Sequence, residues 1–166
     1  MQKVRLYTSQ KTRVIAALMC ILWAALIFCM SAEPATESAD RSGSVTEKVV
    51  SLLVPDFEEK TEEEKAEILS TADHIIRKIA HFCIFGMLGV LAVFVSLGYS
   101  ASRGAHTVRS IVFCAIYAAS DEIHQYFVPG RGPKVTDVLI DSVGAFCGIV
   151  LIMLVVLKRK ERRNGS

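Results

Sequence analysis

The chain has 166 residues, 52% of them hydrophobic and 22% charged, with a formal net charge of +2. A mean hydropathy of +0.40 is too apolar for an ordinary soluble domain of this length, and so small a net charge supplies no basic field for nucleic acid. The composition points to an all-α integral membrane protein with no nucleic-acid partner.

Four apolar stretches, residues 14–30, 79–97, 110–127 and 138–157, approach the roughly 20 residues needed to cross a hydrocarbon core. The third reaches that length only by including its acidic end. The first follows Lys3, Arg5, Lys11 and Arg13. A cleaved signal peptide competes for residues 1–32. Its apolar part exceeds the usual 7 to 15 or so residues, and Met30 is a poor member of a small-residue cleavage site, so a retained anchor is expected.

The next segment, residues 33–73, holds twelve acidic residues from Glu33 to Asp73. The only basic residues there are Arg41, Lys48, Lys60 and Lys65. Residues 32–44, rich in Ser, Glu, Ala and Thr, read as a flexible linker because they offer little to bury. A short apolar pattern at 45–54 ends at Pro55. Thr61, followed three residues later by Glu64, makes a capping-box pattern. Glu62, Glu63, Glu64, Lys65 and Glu67 are then the solvated face of a helix leading into the second span.

Arg103 and Arg109 lie between the second and third spans, and Lys158, Arg159, Lys160, Arg162 and Arg163 follow the fourth. Lys and Arg near span ends are retained in the cytoplasm, so both termini and the 98–107 turn should face inward and the acidic segment outward. The short third loop, with Arg131 and Lys134, is the exception. Its two prolines and two glycines within residues 128–134 force a sharp turn. The fourth span carries Asp137, Asp141, Gly144 and Gly148 along one face, and small residues in such a stripe admit a second helix, including one from another copy of the chain. The expected architecture is a four-helix membrane bundle with residues 1–32 as anchor, 33–73 as acidic extracytoplasmic linker and helix, 74–157 as a three-span core and 158–166 as a basic cytoplasmic tail. Cys20, Cys29, Cys83, Cys114 and Cys147 all fall in spans, where apolar packing rather than a disulfide framework is expected.

This topology gathers polar residues at the outer end of the bundle. His74, Arg77, Lys78 and His81 share one helical stripe, and Asp121, His124 and Gln125 share another. A charge at the centre of a membrane helix costs about 2.5–3.5 kcal/mol, so such groups should be paired. Arg77 or Lys78 is expected to meet Asp121 or Glu122, and Arg131 to meet Asp137 or Asp141. Arg77 and Lys78 taken alone are explained by snorkelling to headgroups, and His81 by an interfacial hydrogen bond. Asp121, Glu122, His124 and Gln125 crowd a span end with no packing rationale. His81, Asp121, Glu122, His124 and Asp141 could ligate a metal, but no spacing matches a metal motif, so ion pairing is expected instead and no cofactor is specified.

The runs Arg77-Lys78-Ile79-Ala80-His81-Phe82, Phe85-Gly86-x-x-Gly89, Ser120-Asp121-Glu122-Ile123-His124-Gln125-x-Phe127-x-Pro129-Gly130-Arg131 and Asp137-x-x-x-Asp141-x-x-Gly144-x-x-x-Gly148 together resemble the VanZ-like membrane proteins, over about residues 77–157. The resemblance implies a small helical membrane protein, in a family whose named member is associated with low-level resistance to the glycopeptide teicoplanin. Three readings follow. In the first, Arg77, Lys78, His81, Gln125, Arg131 and Asp137 bind a membrane lipid, a lipid-linked wall intermediate or a glycopeptide. In the second, the protein is a membrane enzyme on a phosphate-containing substrate, with Glu122 or His124 as general base and Asp121 or Asp141 orienting it. In the third, the charge pairs lock the helices of a structural subunit.

Overall fold

The computed structural model describes residues 3–4, 9–132 and 134–164. Helix α1 (Gln10–Ser31) runs for 22 residues without glycine or proline. Helix α2 (Ala35–Leu53) starts after Pro34 and stops at Val54, just before Pro55. It occupies most of the expected flexible linker. The Ala/Glu/Ser composition tolerates helix, and α2 gains a partner: Val50 is buried, and Ser42 and Thr46 both bond Asp73 on the next helix.

Asp56, in the left-handed region at φ 54°, leads into a single 3₁₀ turn, Phe57–Glu59. Helix α3 (Glu62–Leu97) then runs for 36 residues behind the capping box, in which the Glu64 amide donates to Thr61 Oγ1 at 3.3 Å and the Thr61 amide to Glu64 Oε2 at 3.0 Å. At 1.5 Å per residue it is about 54 Å long, well beyond a hydrocarbon core of about 30 Å, so its acidic first turns project past the apolar run.

Strand β1 (Lys3–Val4) pairs antiparallel with β2 (Ala101–Ser102), the only strand pairing among the described residues. Everything else regular is helical. This ladder ties the start of the chain to the α3–α4 connection, so both lie at one end of the molecule. Ser102 caps helix α4 (Arg103–Gln125), accepting the Ala105 amide at 3.2 Å. After the turn, where Gly130 takes φ 76°, helix α5 (Val135–Asn164) returns to that end.

Helices α3 and α5 form the most extensive contact. Its cause is the small-residue stripe: a methyl group on Gly89, Gly144 or Gly148 would overlap the backbone of Ala145, Phe82 or Gly86 respectively. The stripe expected to admit a second helix is filled by α3 of the same chain. Around this seam pack Phe85, Leu88, Cys114, Ala118 and Ile149, with Ile27 from α1. Side-chain bonds fasten α1 along its length: Trp23 Nε1 donates to the Ile84 carbonyl at 2.9 Å, and the Tyr117 hydroxyl donates to the Ala24 carbonyl at 2.5 Å.

Three helices are long and apolar enough to cross a membrane: α1, α3 and the Val135–Val156 part of α5. Their outward faces are apolar, as Leu22 on α1, Ile79 on α3 and Leu151 on α5 illustrate. Helix α4 carries Arg103, Arg109, Asp121 and Glu122, yet it is ordered inside out. Val108, Val112, Ile116 and Ile123 are exposed while His106, Ser110, Asp121 and Gln125 are buried. All five cysteines are free thiols, but only Cys20 and Cys114 are buried; Cys29, Cys83 and Cys147 face outward, so core packing accounts for two of them.

Candidate functional site

The end of the bundle opposite the β1–β2 ladder holds a cleft of about 360 Å³. Helix α3 contributes His74, Arg77, Lys78 and His81 to its wall, at the helical spacing that puts them on one face. The α4–α5 turn lays Gly130, Arg131, Gly132 and Lys134 across it, and α5 supplies Asp137 and Asp141. Gln125 enters from the last turn of α4. Nine of the residues singled out from the sequence therefore line one cavity: His74, Arg77, Lys78, His81, Gln125, Arg131, Lys134, Asp137 and Asp141.

The pairing inside differs from the expected one. Arg77 is held by Asp73, one turn earlier on α3, and not by Asp121 or Glu122. An i,i+4 partner on the same helix needs no distant chain to be ordered. Lys78 Nζ lies 3.5 Å from Asp137 Oδ1, joining α3 to α5, and His81 Nδ1 lies 3.7 Å from Asp141 Oδ1 across the same seam. Arg131 meets neither Asp137 nor Asp141 in a salt bridge; its Nη1 donates to Gln125 Oε1 at 3.3 Å. Burial of the turn, and then the nearby Arg77 charge, hold the Arg131 guanidinium below its ordinary pKa, against the opposing pull of Asp121, Glu33 and Glu122.

Asp121 adjoins the cleft without lining it. Its Oδ2 accepts the Ser31 hydroxyl at 2.8 Å and the Gln125 amide at 2.8 Å. Glu122 turns to the other side of α4, where it accepts the Lys134 backbone N–H and borders a separate apolar groove with Ile123, Phe127 and Val138. His124 stacks on Phe28 of α1 with ring centroids 4.1 Å apart, and its Nε2 has no hydrogen-bond partner among the described residues. Neither Glu122 nor His124 lines the cleft.

Two contributors were missed in the sequence. Ser31, at the end of the first span, bonds Asp121 from 90 positions away, and no local pattern announces that. Asp73 was counted only as one more acid of the outer segment, although its spacing to Arg77 was visible. Burial pushes its carboxyl up, but bonds from Ser42, Arg77 and Thr46 more than reverse this and leave it below the usual carboxylate range.

Chemically, the cleft joins two guanidinium groups, that of Arg131 only loosely partnered, with two ammonium groups, two imidazoles and two carboxylates, a set suited to gripping an anion. No curated protein and no solved structure matches the chain significantly. The sequence model of VanZ/LLP1 matches residues 16–156, a stretch that takes in most of α1 and all of the acidic segment as well as the motif-bearing core, and the chain belongs to the VanZ/LLP1 family.

Proposed function

We propose that this protein crosses the cell membrane four times, with both termini cytoplasmic, and uses its extracytoplasmic cleft to bind the phosphate of an envelope lipid or lipid-linked wall intermediate. By occupying or remodelling such components it limits the access of a glycopeptide such as teicoplanin. The fourth crossing is α4, on which Val112, Ile116 and Ile123 face outward while Ser110, Asp121 and Gln125 face the bundle, and the exposed Arg103 and Arg109 lie near its start, the arrangement a helix needs in lipid. Retention of α1 is supported by its bonds through Trp23, Tyr117 and Ser31.

One observation carries the reading. Arg131 enters the cleft beside Arg77 and Lys78, and its hydrogen bond goes to a neutral amide. Arg77 and Lys78 each have a carboxylate partner, whereas the Arg131 fork is placed to take a bidentate phosphate. An acid–base enzyme built on Glu122 and His124 has less support, because those two side chains face elsewhere. A structural role is favoured by the Lys78–Asp137 and His81–Asp141 contacts, which both clamp α3 to α5.

The test is Arg131→Ala beside Arg131→Lys in a glycopeptide-susceptible host, with membrane level measured by immunoblot. Native mass spectrometry of the purified variants then reports retained phosphate-headed lipid against neutral diacylglycerol. Loss of phosphate-headed lipid and of resistance at unchanged protein level is expected for Arg131→Ala. Equal retention of both lipids by wild type sinks the reading, and a fall in protein level before any loss of binding favours the structural one.

A further inference from the structure

Beside the cleft, three helices bring three potential ligands to one point. His81 on α3, Asp121 on α4 and Asp141 on α5 each offer an atom within 4.8 Å of the other two. Both carboxylates are buried, at 3% exposure each. Each also keeps one oxygen, Oδ1, with no hydrogen-bond partner among the described residues. Two buried carboxylates this close repel, and burying an unsatisfied oxygen on either without a donor or a cation is costly.

Among the described residues no Lys or Arg forms a salt bridge with Asp121 or Asp141, and Arg131 donates to Gln125 instead. Asp121 takes only the neutral donors Ser31 and Gln125 on its other oxygen. Lys78 pairs with Asp137, and Arg77 with Asp73. Asp141 meets His81 at 3.7 Å, beyond hydrogen-bond length.

We propose that His81, Asp121 and Asp141 together bind one divalent transition-metal ion, with zinc the first candidate. A nitrogen with two carboxylate oxygens is a borderline ligand set; the imidazole disfavours magnesium and calcium, which take oxygen alone. Ligand atoms around a tetrahedral zinc stand about 3.4 Å apart, so the present spacing closes with side-chain rotations of about 1 Å. Ser31 and Gln125, bonded to the far oxygen of Asp121, hold that carboxylate in orientation as outer partners of a metal site do. Three protein ligands leave a coordination position open, and two of them, His81 and Asp141, also line the cleft. Because the ligands come from three helices, no spacing along the chain reveals them.

This site shares His81 and Asp141 with the cleft wall but does not rest on the phosphate reading, and its test needs no lipid. The purified full chain, stripped with chelator in detergent micelles, is titrated with Zn²⁺ and with Mn²⁺ by calorimetry, and metal content is measured by elemental analysis. One equivalent of Zn²⁺ per chain is expected, with binding weakened by about tenfold or more in Asp121→Asn and Asp141→Asn. Circular dichroism and size exclusion check that these near-isosteric variants are folded. A wild-type chain that takes up neither ion overturns the proposal whatever the variants do, and is the result expected if the two carboxylates share a proton instead. Unchanged affinity in both folded variants overturns it equally. Metal binding without selective lipid retention would leave this site intact and remove only the headgroup reading.

Discussion

Asp121 accepts the hydroxyl of Ser31 at 2.8 Å, and this buried bond joins the end of the first helix to the polar end of the fourth. Ser31→Ala leaves that carboxylate oxygen with Gln125 as its sole donor. A buried bond to a charged group contributes about 1.5–3 kcal/mol, and for a chain of this size each kcal/mol shifts Tm by about 2–4 °C. A fall of several degrees in a thermal-shift assay in detergent is expected. No change in Tm would mean that α1 is not docked through this contact.

The α3–α5 seam makes a sharper demand. Leucine at Gly148 would drive its side chain into the Gly86 backbone, which cannot move as the end of a flexible side chain could. Gly148→Leu is expected to cost about 3 kcal/mol or more and to cut the yield of monodisperse protein. Gly104→Ala meets nothing within 4 Å and should stay within about 0.5 kcal/mol of wild type. Equal behaviour of the two variants would contradict the close helix approach.

These contacts mark what can be read from residues in order and what cannot. The Thr61–Glu64 capping box, the turn at residues 128–131 and the glycine face of α5 depend on neighbours within a few positions, and all three are present in the fold. The cleft was foreseeable because helices that alternate in direction send the start of α3, the end of α4 and the start of α5 to one end. The partners within it were not. Four cations and several carboxylates at one rim permit many pairings, and the choice among them depends on side-chain directions fixed only by α3–α5 packing. Helix α2 escaped notice for another reason. Its composition suits disorder and helix alike, and what tips the balance is Asp73, far along the chain, receiving Ser42 and Thr46.

Asp73 should show itself in the pH dependence of stability. Its folded pKa is depressed, so its contribution is fully present above the unfolded carboxylate value and disappears as pH falls through the folded value. Thermal melts from about pH 6 down to about pH 2.5 are expected to show wild type above Asp73→Asn at the upper end, with the gap closing as acid is added. A gap that is constant across the range would mean that the carboxylate charge contributes nothing to docking α2 on α3.

Lys78 and Asp137 lie 3.5 Å apart, with each side chain about one-third exposed at 33% and 32%. A pair so open to solvent and salt contributes at most about 1 kcal/mol, so Lys78→Met should melt close to wild type. Its loss from the cleft should nevertheless weaken phosphate-headed lipid retention, less than Arg131→Ala does because the Lys78 charge is already engaged by Asp137, whereas the hydrogen bond of Arg131 goes to the neutral Gln125 amide. Native mass spectrometry of both variants orders them, and a Lys78→Met chain that melts several degrees lower yet retains lipid as wild type does would assign the pair to architecture alone.

His124 provides the test that separates packing from proton transfer. Its ring stacks on Phe28 at 4.1 Å, and its Nε2 makes no hydrogen bond among the described residues, so a phenyl ring at this position would keep the stacking and abandon no bond made by that nitrogen. His124→Phe is expected to retain membrane level, Tm and any resistance phenotype, whereas His124→Ala opens a gap beside α1 and should cost about 1–3 kcal/mol. A His124→Phe chain that stays folded and abundant but loses the phenotype would restore this imidazole to the chemistry, and would require His124 to leave Phe28 and swing toward the cleft during function.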